Sequence, residues 1–164
     1  MEHFYGMQKH DTFCAFSDIG WVVGHSYSVY GPLIHGCKSV MFEGKPVGTP
    51  DAATYWRVIE KHGVNSIFTA PTALRAIRKE DPQGKMVKDF DISTLRSVFV
   101  AGERCDPSTV SHFESILGGH FQLLIIGGKP RRVTYVFFFF SCVFMYDDDD
   151  NQQQQQPMCG IQID

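Results

Sequence analysis

The sequence predicts an α/β protein with a parallel sheet covered by helices on both faces, and three observations carry that expectation. Short apolar runs recur along the chain, each run breaks at a turn, and each is followed by apolar residues at helical spacing that lead to the next run. The clearest unit is the stretch VFVAGERCDPSTVSHFESIL, from Val98 to Leu117. Val98 to Ala101 has the β-branched, apolar character of a buried strand and stops at Gly102. Glu103 and Arg104 follow in a charged turn. Asp106 stands where an N-cap belongs, Pro107 suits the first helical position, and Val110, Phe113 and Leu117 recur on one helical face up to Gly118. Ligands of open α/β sheets bind outside the carboxyl ends of the strands, so Gly102, Glu103 and Arg104 form a candidate ligand contact. The same residues also suit an ordinary strand-to-helix turn.

Taken in order, Thr12 to Ser17 is rich in β-formers and predicts the first strand, closed by Asp18 and Gly20. From Gly24 the period lengthens, and Tyr27, Tyr30, Leu33 and Ile34 can share one face of a short helix, with Pro32 inside it and Gly36 at its end, so the helix is expected to be bent or short. Lys38 to Phe42 predicts a second strand, and EGKPVGTP after it reads as a loop. Thr49 is expected to cap the next helix and Pro50 to open it, with Ala52, Tyr55, Trp56 and Ile59 buried and His62 and Gly63 at its end. Ser66 to Thr69 predicts a strand. Pro71 starts a helix that carries Leu74 and Ile77 inward and leaves Arg75, Arg78 and Lys79 on a solvated face. Glu80 to Asp91 is polar and reads as a surface connection. Phe121 to Ile126 predicts one more strand.

Composition narrows the function. With 15 Lys and Arg against 18 Asp and Glu, the net charge of −3 leaves no basic excess to follow a phosphate backbone, which argues against nucleic acid as a partner. The odd set Cys14, Cys37, Cys105, Cys142 and Cys159 has no CxxC spacing and reads as free thiols used in packing. His10 with Cys14, or His35 with Cys37, lacks a second pair at ligand spacing, so no metal site is expected. The first twenty residues show neither a signal-peptide pattern nor an Arg-rich amphipathic one, which by default reads as cytosolic.

The last part of the chain changes character. Val133 to Tyr146 is an almost unbroken aromatic and β-branched run of about fourteen residues, short of the roughly twenty that a membrane helix needs. Its Phe137 to Phe140 block has the composition of an aggregation-prone segment. The aspartates 147 to 150 and glutamines 152 to 156 are low-complexity sequence unable to bury a core. The expected division is a folded segment over residues 1–126 and an aberrant, poorly folded tail over 127–164.

Five ordered motifs carry a family resemblance: Asp18 to Tyr27 (DIGWVVGHSY), Tyr30 to Leu33, Phe42 to Pro46 (FEGKP), Thr69 to Arg75 (TAPTALR), and Gly102 with Glu103. From about Phe4 to Leu117 the chain resembles the large N-terminal domain of the AMP-forming short-chain acyl-CoA synthetases, and GKPVGTPD and VFVAGERCD are similar to the propionyl-type, mitochondrial branch. The resemblance implies that ATP, CoA and Mg serve the intact enzyme. It assigns Gly102, Glu103 and Arg104 to the adenosine part of ATP and of the acyl-adenylate, with Arg104 where acetate enzymes carry proline. It also assigns Trp21, Val22, Val23 and Ala101 to the walls of the acyl pocket. A small Ala101 leaves room for about one methylene more, worth roughly 1 to 3 kcal/mol in a hydrophobic pocket, which favours propionate over acetate. Val23 replaces a threonine near CoA, and Val47 replaces an asparagine, so those CoA hydrogen bonds are not carried over. Asp18 reads as a turn residue and His25 as a helix-start residue rather than as acid and base.

No residue of this chain is assigned a catalytic role. The resemblance also places a Ser/Thr/Gly-rich phosphate loop, a Trp-Gln-Thr-Glu motif and a catalytic lysine in the intact family, and none is present in this sequence. The expectation is therefore a fragment, inactive by itself, of an enzyme that joins a short-chain carboxylate to CoA through an acyl-adenylate, located by resemblance in the mitochondrial matrix. The alternatives are a catalytically dead nucleotide-binding or regulatory module, and a non-functional product of an altered transcript with exposed sheet edges.

Overall fold

A computed structural model describes residues 1–118, 122–126, 135–139 and 142–146. Among the described residues, seven strands form one sheet in the order β2-β1-β3-β4-β5-β6-β7. They are β1 (Thr12–Ala15), β2 (Lys38–Val40), β3 (Ser66–Thr69), β4 (Ser97–Ala101), β5 (Gln122–Ile126), β6 (Tyr135–Phe139) and β7 (Cys142–Tyr146). Strands β1 to β5 are parallel, β6 joins β5 in parallel through Ile125 and Tyr135, and β7 runs antiparallel to β6. Of the stretch from residue 127 onward only the β6 and β7 backbones are described. The expectation of a poorly folded tail otherwise lies outside the described residues.

The pleat explains the two cores. In β4, Val98 and Val100 point to one face while Phe99 points to the other; Cys14 and Ile67 join the first pair, and Phe13 and Phe68 join Phe99. On the first face lie α4 (Thr54–His62), α5 (Pro71–Glu80) and α6 (Pro107–Leu117), which contribute Tyr55, Trp56, Ile59, Leu74, Ile77, Phe113 and Leu117. On the second face, Tyr5 at the end of α1 (Glu2–Tyr5), Met7, Val23 and Tyr27 pack over Phe13, Phe68 and Phe99. Both faces are covered, as the alternating pattern predicts. At the amino end of the strands, side chains tie neighbours together: Asn65 Oδ1 accepts from Thr12 N–H at 2.8 Å, and the buried hydroxyls of Ser97 and Ser66 meet at 2.9 Å.

Three expectations are corrected. The helix after β1 is broken into short pieces, in line with the bent or short helix expected, but its apolar residues do not share one face. It runs as α2 (Val22–Gly24), a π-helical segment (His25–Tyr30) and α3 (Gly31–His35), ended by Gly36 in the left-handed region at φ 85°. The wider π turns shift the register, so Val23, Tyr27, Ser28 and Pro32 face the protein, while Tyr30, Leu33 and Ile34 are 62, 65 and 87% exposed. Thr49 does not cap α4. Its hydroxyl bonds Lys45 N–H and the Lys45 carbonyl, and Asp51 accepts from Ala53 N–H at 2.9 Å ahead of a helix that starts at Thr54. The 80–91 connection is not wholly superficial either. Asp81 accepts from Lys85 N–H and Met86 N–H at 3.0 and 2.7 Å, shaping a 3-10 turn (Met86–Asp89) that buries Val87.

Candidate functional site

With strand order 2-1-3-4-5, the chain changes winding direction between β1 and β3, and the crevice at their carboxyl ends is the ligand position expected of such sheets. A cleft of about 590 Å3 lies at this end. The chain leaving β1 (Phe16, Ser17, Asp18) forms one wall, the chain leaving β2 (Met41 to Gly44) forms another, and Ser28 and Tyr55 complete it. Its aromatic floor is ordered: Phe16 stacks on Tyr55 with centroids 3.6 Å apart at 8°, and Phe42 stands edge-on to Phe16 at 5.3 Å. The Tyr55 hydroxyl meets Thr69 Oγ1 at 3.1 Å, linking α4 to the end of β3. Burial pushes that phenol well above its usual range, so it stays neutral.

The cleft wall is fixed by close backbone approach. A Cβ on Gly24 would stand 2.2 Å from the Asp18 carbonyl oxygen and 2.6 Å from Ile19 Cα, so the Asp18–Ile19 turn can lie on α2 only because residue 24 is glycine. Asp18 accepts from Gly20 N–H at 2.6 Å and is a turn residue, and His25 is exposed in the helix.

The second feature is the turn after β4. Gly102 has φ +99°, a conformation that favours glycine, and a Cβ there would meet nothing within 4 Å. Gly102, Glu103 and Arg104 are all exposed. Arg75 of α5 reaches them: its Nη2 lies 2.8 Å from Glu103 Oε1, while its Nη1 donates to the Arg104 carbonyl at 3.4 Å and lies 3.5 Å from Asp106 Oδ1. Arg78 donates to Ser108 Oγ at 3.0 Å. The expected solvated face of α5 is thus corrected, because Arg75 grips the β4–α6 connection and Arg78 the first turn of α6. Asp106 is the N-cap the sequence predicts, accepting from Thr109 N–H at 2.9 Å. The Ser108 hydroxyl at 2.6 Å, helped by Thr109, holds the Asp106 carboxyl well below the usual carboxylate range.

The expected pocket residues separate into two groups. Val23 and Ala101 pack on the same core cluster, whereas Trp21 and Val22 are 70 and 74% exposed and do not join them. Neither group lines the 590 Å3 cleft. The aromatic floor and Arg75 were not singled out from sequence. The signals were present in Phe16 and Phe42, which lie just past the ends of the neighbouring strands β1 and β2, and in the i, i+3 arginines Arg75 and Arg78. Cys14, Cys37 and Cys105 are buried free thiols, as expected. His35 Nε2 meets the Met7 carbonyl at 3.0 Å, and among the described residues no three His, Cys, Asp or Glu side chains converge to hold a metal.

The family described as AMP-binding enzyme matches residues 1–163. The chain belongs to that family. This AMP-binding family member is 52% identical over 116 residues to the human acyl-CoA synthetase short-chain family member 3, mitochondrial, covering 71% of this chain and 17% of that protein. It is 56% identical over 112 residues to acyl-CoA synthetase short-chain family member B, mitochondrial, of Dictyostelium discoideum, covering 68% and 16%. It is 44% identical over 108 residues to the acetyl-coenzyme A synthetase of Rhodobacter capsulatus, covering 66% and 16%. The chain therefore spans about a sixth of the length of these curated relatives. Among the described residues no helix is long and apolar enough to cross a membrane.

Proposed function

We propose that this chain is the nucleotide-contacting segment of an AMP-forming short-chain acyl-CoA synthetase, an acid–CoA ligase that joins a short carboxylate to CoA by way of an acyl-adenylate. The observation that carries the reading is the exposed Gly102-Glu103-Arg104 turn at the carboxyl end of a central strand, within a chain of the AMP-binding family. The turn supplies backbone groups to the adenosine of ATP or AMP. Val23 and Ala101, packed on one cluster, form the apolar side of an acyl pocket to which Trp21 and Val22 are added when the wall is complete. The small Ala101 favours propionate over acetate.

ATP, the carboxylate and CoA are substrates in this reading. Among the described residues no three His, Cys, Asp or Glu side chains converge on a metal position. The chain by itself binds without catalysing, because adenylation depends on electrostatic stabilisation of the transferring phosphoryl group and none of the residues assigned here supplies it. The names of the human and Dictyostelium relatives support a mitochondrial setting.

Calorimetric titration tests the reading with AMP and with its ethyl and propyl phosphate esters, which carry the alkyl group of an acyl-adenylate. The expected result is saturable AMP binding strengthened more by propyl than by ethyl. Absence of heat with all three removes the nucleotide reading, equal binding of the esters removes the propionate preference, and propionate-driven pyrophosphate release from ATP by this chain removes the claim that it does not catalyse.

A further inference from the structure

We propose that Arg75 is a positioning residue for the Gly102–Arg104 turn, acting as a strut from α5 that holds the turn's backbone ready for a nucleotide. The inference rests on the nucleotide reading above and adds the group that presets the site.

The turn has little packing of its own. Gly102 has no side chain, its surroundings are open, and Glu103 and Arg104 point outward. What meets the turn is the Arg75 guanidinium, whose planar fork spans Glu103 Oε1 at 2.8 Å, the Arg104 carbonyl at 3.4 Å and Asp106 Oδ1 at 3.5 Å. One hydrogen bond and two ion pairs to three nearby residues leave the segment little freedom to rotate about Gly102. The base of the strut is firm, since Leu74 and Ile77 on either side of Arg75 are 1 and 2% exposed. Only Arg offers this geometry, because a lysine ammonium is a point charge without a planar fork.

The arrangement also fixes what the turn presents. The Glu103 carboxylate is committed to Arg75, and Asp106 is committed to capping α6, so beside the Arg104 side chain the turn presents peptide groups suited to the uncharged adenosine part of a nucleotide. Arg75, balanced by two carboxylates, is not free to take a phosphate. Each ion pair is more than a third exposed and adds little to global stability, which makes orientation the role that remains.

The test compares Arg75→Gln, Arg75→Lys and, as a control contacting Ser108 and Thr109 instead, Arg78→Gln. NMR order parameters of the 102–106 backbone amides and AMP affinity are the readouts. For Arg75→Gln, the order parameters of this segment fall while those of the rest of the chain are unchanged, and AMP binds about tenfold more weakly, the equivalent of 1.4 kcal/mol. Arg75→Lys falls between the wild type and Arg75→Gln, and Arg78→Gln matches the wild type at 102–104. Wild-type order parameters at 102–106 in both Arg75 variants overturn the proposal. If the wild-type chain binds no AMP while the difference in order parameters persists, the nucleotide reading fails and the strut stands as a device that orders the turn.

Discussion

Replacing Gly24 by alanine sets two effects of opposite sign against each other. Alanine favours a helical position over glycine by about 1 kcal/mol, so propensity alone predicts a more stable protein. The added Cβ, however, would lie 2.2 Å from the Asp18 carbonyl oxygen, 2.6 Å from Ile19 Cα and 2.9 Å from the Asp18 carbonyl carbon. All three atoms are backbone, so no side chain can swing aside. The turn and the helix must part by about 1 Å, which forfeits roughly a quarter to a half of the dispersion attraction across the gap. Overpacking of this kind costs about 1–3 kcal/mol, which exceeds the propensity gain or equals it at the lower bound. The expected net loss is about 1 kcal/mol, with the cleft wall at Asp18 displaced. Urea unfolding followed by fluorescence measures it, since Trp56 is 2% exposed and reports the core, while Trp21 is 70% exposed and sits beside the displaced turn. A Gly24→Ala chain with a higher urea midpoint than the wild type would refute the close-approach argument.

Three further outcomes are expected. Asp106→Ala removes the α6 cap and costs about 1 kcal/mol near neutral pH. Because the folded-state value of Asp106 is depressed, its contribution is fully present above the unfolded value of about 4 and is lost as pH falls through the lower folded value, so the gap in urea midpoint between wild type and variant narrows toward strongly acidic pH. Burial raises the thiols of Cys14, Cys37 and Cys105, that of Cys14 to about 12, so alkylation mapped site by site at pH 8 leaves these three unmodified in the folded chain and modifies them in denaturant. Modification of Cys14 in the folded chain would contradict the packing. Leu33→Glu and Ile34→Lys, at positions 65 and 87% exposed, change stability by no more than about 0.5 kcal/mol and raise solubility in a precipitation series, and a larger loss of stability would show that this face is covered.

Much of the fold was legible because the strands and helices declare themselves locally. The period-two burial of Val98, Phe99 and Val100 and the Asp106–Pro107 start of α6 follow from residue type alone, and Ser66–Thr69 and Pro71–Glu80 fall where the pattern puts them. The helix after β1 misled because a π turn changes the spacing on which the shared apolar face was assigned, and no single residue announces it. The start of α4 misled because Thr49 found a partner in Lys45, a choice set by the loop's path rather than by Thr49 itself. At the candidate site, the Gly102 turn was visible as a break in an apolar run. The Phe16–Tyr55 stack was not, since those residues are 39 positions apart and meet only when β1 and α4 pack. Arg75 looked like a solvated charge for the same reason: its partners lie a strand and a turn away.

The most direct test of the central claim is an NMR titration of the isotopically labelled chain with AMP, followed at every backbone amide. The account predicts saturable shifts concentrated at Gly102, Glu103 and Arg104 and at the neighbouring ends of β3 and β4, with the amino-end residues Asn65 and Thr12 unmoved. Shifts confined to other parts of the chain, or none at saturating AMP, would contradict the assignment of this turn to a nucleotide.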